Sequence, residues 1–140
     1  WSSDVCSSDL RWCTDLVEKY RMYPIMVGYD KYNAQYLTSA LKDYGFVVDD
    51  VVQGFNLSPV IQETEGLIRD GRLHIGDNDL LKVHLLDTAL KFSAEKERCR
   101  IVKLNNKAHI DGVASLLCAM TVRQKWWGEY GARLTNERRR

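Results

Sequence analysis

Two carboxylates in this 140-residue chain stand where a structural element begins or ends. Asp30 closes the apolar run PIMVGYD from Pro24, and Asp111 lies in AHIDG, ahead of a long amphipathic stretch. Each has an ordinary use: Asp30 as a turn or N-cap residue, Asp111 as an acid favoured in a helix's first turn by the positive end of the dipole. A shared use needs a third party, because two ionised carboxylates brought together repel unless a divalent cation lies between them. Oxygen-ligated Mg²⁺ or Mn²⁺, as a pair of ions, would meet that need and suit phosphodiester hydrolysis. Other chemistry finds little footing. The chain has no Gly-x-x-x-x-Gly-Lys-Ser/Thr phosphate cradle, no Gly-x-Gly-x-x-Gly and no Gly-x-Ser-x-Gly. Cys6, Cys13, Cys99 and Cys118 include no Cys-x-x-Cys pair, and the three histidines show no ligand spacing, which argues against zinc and for free thiols.

The elements that must position these acids follow from the apolar spacing. Trp12, Leu16 and Tyr20 predict a helix that stops before Pro24. Pro24 to Asp30 reads as a strand buried on both faces, ending in its carboxylate, and ligands in open α/β sheets lie beyond such strand ends. Ala34, Leu37, Leu41 and Tyr44 predict a helix, with Asn33 as its N-cap and Gly45 as its stop. Phe46 to Val52 reads as a strand, with Asp49 and Asp50 marking a bulge or an exposed end. Ser58-Pro59 starts a helix as N-cap and first-turn proline, running to Asp70-Gly71, and Leu73 to Ile75 reads as a short strand. A helix over about Asp79 to Thr88 is expected next. Leu90 to Phe92 and Cys99 to Leu104 then form a hairpin around a charged tip, and Ile110, Val113, Leu117 and Met120 mark a long last helix loosened at Gly128 and Gly131. Strands alternating with helices predict an α/β domain with a mixed sheet and helices on both faces.

Composition sets the outer bounds. With 45% hydrophobic and 28% charged residues the chain can bury one core, and its net charge is +1. From Thr121 onward six bases face Glu129 and Glu137, so this segment carries +4 and the first 120 residues −3. No run of about 18 apolar residues occurs, so no membrane partner is expected, and the absence of a signal-peptide pattern predicts a soluble intracellular protein. Residues 1–10, WSSDVCSSDL, resemble translated sequencing adapter and are set aside as an artefact. The domain is expected over 11–127, with 128–140 a basic, disordered tail.

Three segments carry a family likeness: YDKYNAQYLTSALKDYG from Tyr29, QGFNLSPVIQETEGLIRDGRLHIGDN from Gln53, and HIDGVASLLCAM from His109. In this order, with Asp30 and Asp111 81 residues apart, the chain resembles the C-terminal nuclease domain of the large terminase subunit of tailed bacteriophages. The resemblance implies a ribonuclease H-like fold lacking its first strands, and a metal-dependent endonuclease that cuts concatemeric phage DNA. It matches Asp30 to the family's second metal-binding acid and Asp111 to its third. The first acid lies on a strand upstream of anything present here, and so does the ATPase motor domain, so these residues alone should be nearly inactive. Implied partners are double-stranded phage DNA, the portal protein and the small terminase subunit, in an oligomeric motor in the host bacterial cytoplasm and transiently at the procapsid portal. Lys107 and His109, before Asp111, and Lys96, Arg98, Arg100 and Lys103 on the hairpin are candidate DNA contacts, against a plain solvated surface. Two rivals remain: a non-catalytic α/β docking module meeting portal or small subunit through Trp126-Trp127, and another ribonuclease H-like enzyme such as a resolvase.

Overall fold

The structure, a computed structural model, describes residues 3–32 and 35–137, with side chains described for 9–32 and 37–132, and divides into two compact units, Trp1–Val51 and Val52–Arg140. Asn33 and Ala34, expected to begin a helix, lie outside the described residues.

The first unit runs α1 (Ser3–Glu18), β1 (Val27–Asp30), α2 (Gln35–Tyr44) and β2 (Val48–Val51). α1 begins at Ser3, upstream of the apolar spacing that predicted it from Arg11; once nucleated, a helix extends at small cost per residue. β1 and β2 pair in parallel, Val27 with Val48 through Asp30 with Val51, across the α2 crossover. Two expectations change here. β1 is half-buried along its whole length rather than buried on both faces, because a two-stranded sheet has two edges. Asp49 and Asp50 sit in regular register with Gly28 and Tyr29, without a bulge, and Asp50 is exposed and paired to Lys31 Nζ at 3.1 Å. α2 ends as expected at Gly45, whose φ of +109° a side chain would strain. Gly45 N–H donates to the Lys42 carbonyl and Phe46 N–H to the Leu41 carbonyl, closing the last turn, and Leu41 and Phe46 are buried. Tyr44 stacks on Phe46 with ring centroids 5.3 Å apart and donates its hydroxyl to Glu18 at 2.8 Å, tying α2 to the end of α1.

The second unit contains a 3₁₀ turn (Phe55–Leu57), α3 (Ser58–Arg69), α4 (Asp79–Leu86), β3 (Thr88–Phe92), β4 (Cys99–Lys103) and α5 (Asp111–Glu137). Its core is Leu57, Val60, Ile61 and Thr64 with Cys99, Ala108, Val113, Leu117, Cys118, Met120 and Val122. On α5 the buried positions 113, 117 and 120 repeat at the 3.6-residue period, and α5 packs against α3 and α4. Pro59 stands in the first turn of α3 as expected, but Ser58 does not cap it. The cap position falls to Leu57, and the buried Ser58 hydroxyl instead accepts the Cys99 N–H at 3.0 Å. Leu73 to Ile75 form no strand: Arg72 and Leu73 both donate their N–H groups to the Leu67 carbonyl, so this stretch completes the end of α3. α4 is capped by Asn78, whose Oδ1 accepts the Leu81 N–H at 3.0 Å. β3 and β4 form the expected hairpin, antiparallel from Thr88–Lys103 to Phe92–Cys99.

α5 continues unbroken to Glu137, so 128–137 is helical where a loose tail was expected, and Arg138 to Arg140 lie outside the described residues. Gly128 and Gly131 each lower helix propensity by only about 1 kcal/mol, too little to break a helix anchored along its first three turns. The strands of the described residues therefore form two two-stranded sheets, one parallel and one antiparallel, in a mixed α/β chain. No described helix is long and apolar enough to cross a membrane.

Candidate functional site

Asp30 is held where β1 ends. Its Oδ1 accepts the Tyr32 N–H at 3.1 Å, a turn stabilised by the side chain two residues back, so the structural use foreseen for this acid is present. That bond engages one lone pair of one oxygen, and a carboxylate accepts several partners at once. Beside it, the hydrogen bond and charge of Asp50 push the Lys31 ammonium pKa up, keeping this cation charged at the rim of the parallel pair.

Asp111 is the first residue of α5, with its side chain 84% exposed. The turn that carries it is anchored from α4. His109 N–H donates to Asp87 Oδ2 at 3.0 Å, and Gly112 N–H donates to His84 Nδ1 at 2.9 Å. Gly112 N–H, one of the amides that open a helix without an intrahelical partner, is thereby satisfied by a side chain, and so is His109 N–H, two residues ahead of the helix. Gly112 is required by proximity: a Cβ there would lie 2.7 Å from His84 Nδ1 and 3.2 Å from Leu81 Cδ1. Upstream, Asn105 Oδ1 accepts the Lys107 N–H at 2.9 Å, shaping the loop into Ala108, which is buried. His109 is exposed, with Nδ1 3.9 Å from Asp111 Oδ2, and Lys107 is exposed beside it. A groove of about 530 Å³ between α4 and α5 opens onto this turn, lined by Leu80, Leu81, His84, Asp111, Gly112 and Leu116 among others.

The hairpin cations do not act as one row. Alternation along β4 puts Arg100 and Lys103 on opposite faces. Arg100 lies with its guanidinium carbon 5.4 Å from the Phe55 ring centroid, and its Nε is buried without a hydrogen-bond partner. The register sets Lys91 directly opposite Arg100, a like-charge pair that is unfavourable unless an anion sits near it. Lys103 is exposed opposite Thr88. On α5, Arg123 pairs with Glu63 at 3.1 Å and lies over the Trp127 ring, while Lys125 lies over Trp126.

His84, Asp87 and Lys91 are absent from the candidates read out of the sequence. His84 and Asp87 stand 28 and 22 residues from their partners, and only packing brings them together. The one local signal was Gly112, a glycine inside a helix-starting segment, which marks a close approach.

Asp30 and Asp111 offer hard oxygen donors of the kind Mg²⁺ and Mn²⁺ select, but three His, Cys, Asp or Glu side chains do not converge anywhere among the described residues. Each carboxylate taken alone is of the donor type that a divalent ion selects.

The fold is that of a ribonuclease H-like nuclease domain. It is shared with the crystal structure of the HK97 bacteriophage large terminase at a TM-score of 0.70, with 15% identity over 82% of this chain and 24% of that one. The present chain thus spans about a quarter of that terminase's length. Residues 15–125 match the family model described as terminase large subunit, endonuclease domain, and the chain belongs to that family. A resolvase assignment is set aside by this match. No curated protein matches the chain.

Proposed function

We propose that this chain is the DNA-cutting part of a phage packaging terminase, a divalent-metal-dependent endonuclease acting on concatemeric double-stranded viral DNA. The observation that carries the reading is Asp111: an exposed carboxylate on a helix's first turn, anchored by His84 and Asp87 in a terminase endonuclease domain. Asp30 and Asp111 would hold Mg²⁺ or Mn²⁺, two ions in all, which when bound supply an activated water and stabilise the leaving oxygen. The turn at 109–112, held by His84 and Asp87, orients the Asp111 carboxylate. Lys107 and His109 flank it as donors to backbone phosphates, and Lys91 with Arg100 offers a second cationic point; none of these reads sequence. The portal protein and small terminase subunit are the partners proposed for the whole subunit, within an oligomeric motor in the host cytoplasm, transiently at the procapsid portal.

The test is made in the full-length protein. Asp111→Asn should lower Mn²⁺ affinity and abolish cleavage of linear DNA, while portal binding persists. Unchanged cleavage and Mn²⁺ affinity would overturn the nuclease reading and leave a docking module in its place.

A further inference from the structure

We propose that His84 is a positioning residue for Asp111, acting through the Gly112 amide. This rests on the reading of Asp111 as a metal-binding carboxylate. The ring can serve only as a neutral acceptor at Nδ1, because its partner at 2.9 Å is a backbone N–H; the ring proton then sits on Nε2. His84 in the last turn of α4 and Asp87 at its C-cap stand three residues apart, the spacing that lets two side chains reach one neighbouring segment. Asp87 takes the amide two residues before Asp111, and His84 takes the amide one residue after it. The acid is thus bracketed, with its own side chain left 84% exposed. The bracket is dimensionally tight, since even a methyl group at position 112 would collide with the ring. A helix start needing only a cap could take it from its own preceding residue, as α4 does from Asn78. The turn carrying Asp111 instead draws its acceptors from α4 and the C-cap of α4, which fixes its position relative to α4 as well as its end.

The test compares His84→Ala, His84→Asn and Asp111→Asn in the full chain. Asn places its Oδ1 where the ring carries Nδ1, so it restores the acceptor without the imidazole. Two readouts are taken: the hydrogen-exchange rate of the Gly112 amide, and binding of Mn²⁺ alone, followed by water-proton relaxation. In His84→Ala the Gly112 amide should exchange about tenfold faster, as for a lost hydrogen bond, and Mn²⁺ affinity should fall several-fold; His84→Asn should recover both. A Leu117→Ala control, destabilised in the core away from the turn, should leave Mn²⁺ affinity unchanged, which separates positioning from general loss of stability. An unchanged Gly112 exchange rate in His84→Ala, or unchanged Mn²⁺ affinity there while Asp111→Asn lowers it, overturns the proposal. If Asp111→Asn leaves Mn²⁺ affinity unchanged, the metal reading of Asp111 fails on its own account, independently of the amide result.

Discussion

Removing the Ser58 hydroxyl should weaken the second unit out of proportion to the one atom lost. In the hairpin, Ser93 N–H donates to the Arg98 carbonyl at 2.8 Å and Leu104 N–H to the Asp87 carbonyl at 2.8 Å. Both bonds belong to the same alternate set of the antiparallel ladder, so the Phe92–Cys99 pair between them falls in the set without mutual bonds. The Cys99 N–H therefore points away from β3, into the core, where Cys99 is 2% exposed and Ser58 is 3% exposed. The Ser58 hydroxyl is its acceptor at 3.0 Å. Ser58→Ala leaves that amide buried and unpaired, at a cost of about 1–3 kcal/mol. Taking about 2 kcal/mol, the thermal midpoint of a chain this size should drop by roughly 6–8 °C. Far-UV circular dichroism reads the midpoint, and hydrogen exchange at Cys99 reads the site. Ser93→Ala serves as the comparison, since its hydroxyl accepts the Arg98 N–H at 3.3 Å in an exposed position and water can replace it, for a change under about 0.5 kcal/mol. Equal midpoints for the two variants, with Cys99 as protected as in the parent, would refute the reasoning.

The Lys31 ammonium should titrate above an ordinary lysine because Asp50 bonds it. A folded-state pKa raised in this way contributes stability that is complete below the unfolded lysine value of about 10.4 and is lost as pH rises through the folded value. Asp50→Asn should return the Lys31 midpoint, followed by NMR of its side chain, to that of free lysine, and an unmoved midpoint would contradict the pairing. Because three His, Cys, Asp or Glu side chains do not converge among the described residues, the 140-residue chain should cut plasmid DNA no faster than background in Mn²⁺. Robust Mn²⁺-dependent cutting by the purified chain would show that Asp30 and Asp111 suffice.

Much of the element plan was legible because it depends on near neighbours. The spacing of Leu37, Leu41 and Tyr44 and the stop at Gly45 identify α2, and the charged tip between Phe92 and Cys99 identifies the hairpin. Reading failed where one residue had two competing uses. Ser58 carries every local mark of an N-cap, yet its hydroxyl lies within reach of a buried amide 41 residues away, and a buried donor without a partner costs more than an uncapped helix end exposed to water. Leu73 to Ile75 have strand-like residues but no strand beside them, and an unpaired edge offers a backbone less than the open carbonyl at the end of α3.

The site divides in the same way. The sequence by itself determined the chemical types: two carboxylates at element boundaries, a glycine after the second, and cations around a hairpin. Residue type and local spacing are properties of the chain, and they specify what a group can donate, accept or ligate. Only the tertiary structure decided that His84 and Asp87 grip the turn of Asp111, that Lys91 faces Arg100, and that Arg100 and Lys103 part company across β4. Those pairings join residues between 9 and 28 positions apart or follow from strand register, and they arise when apolar faces pack and bring distant polar groups within hydrogen-bond reach.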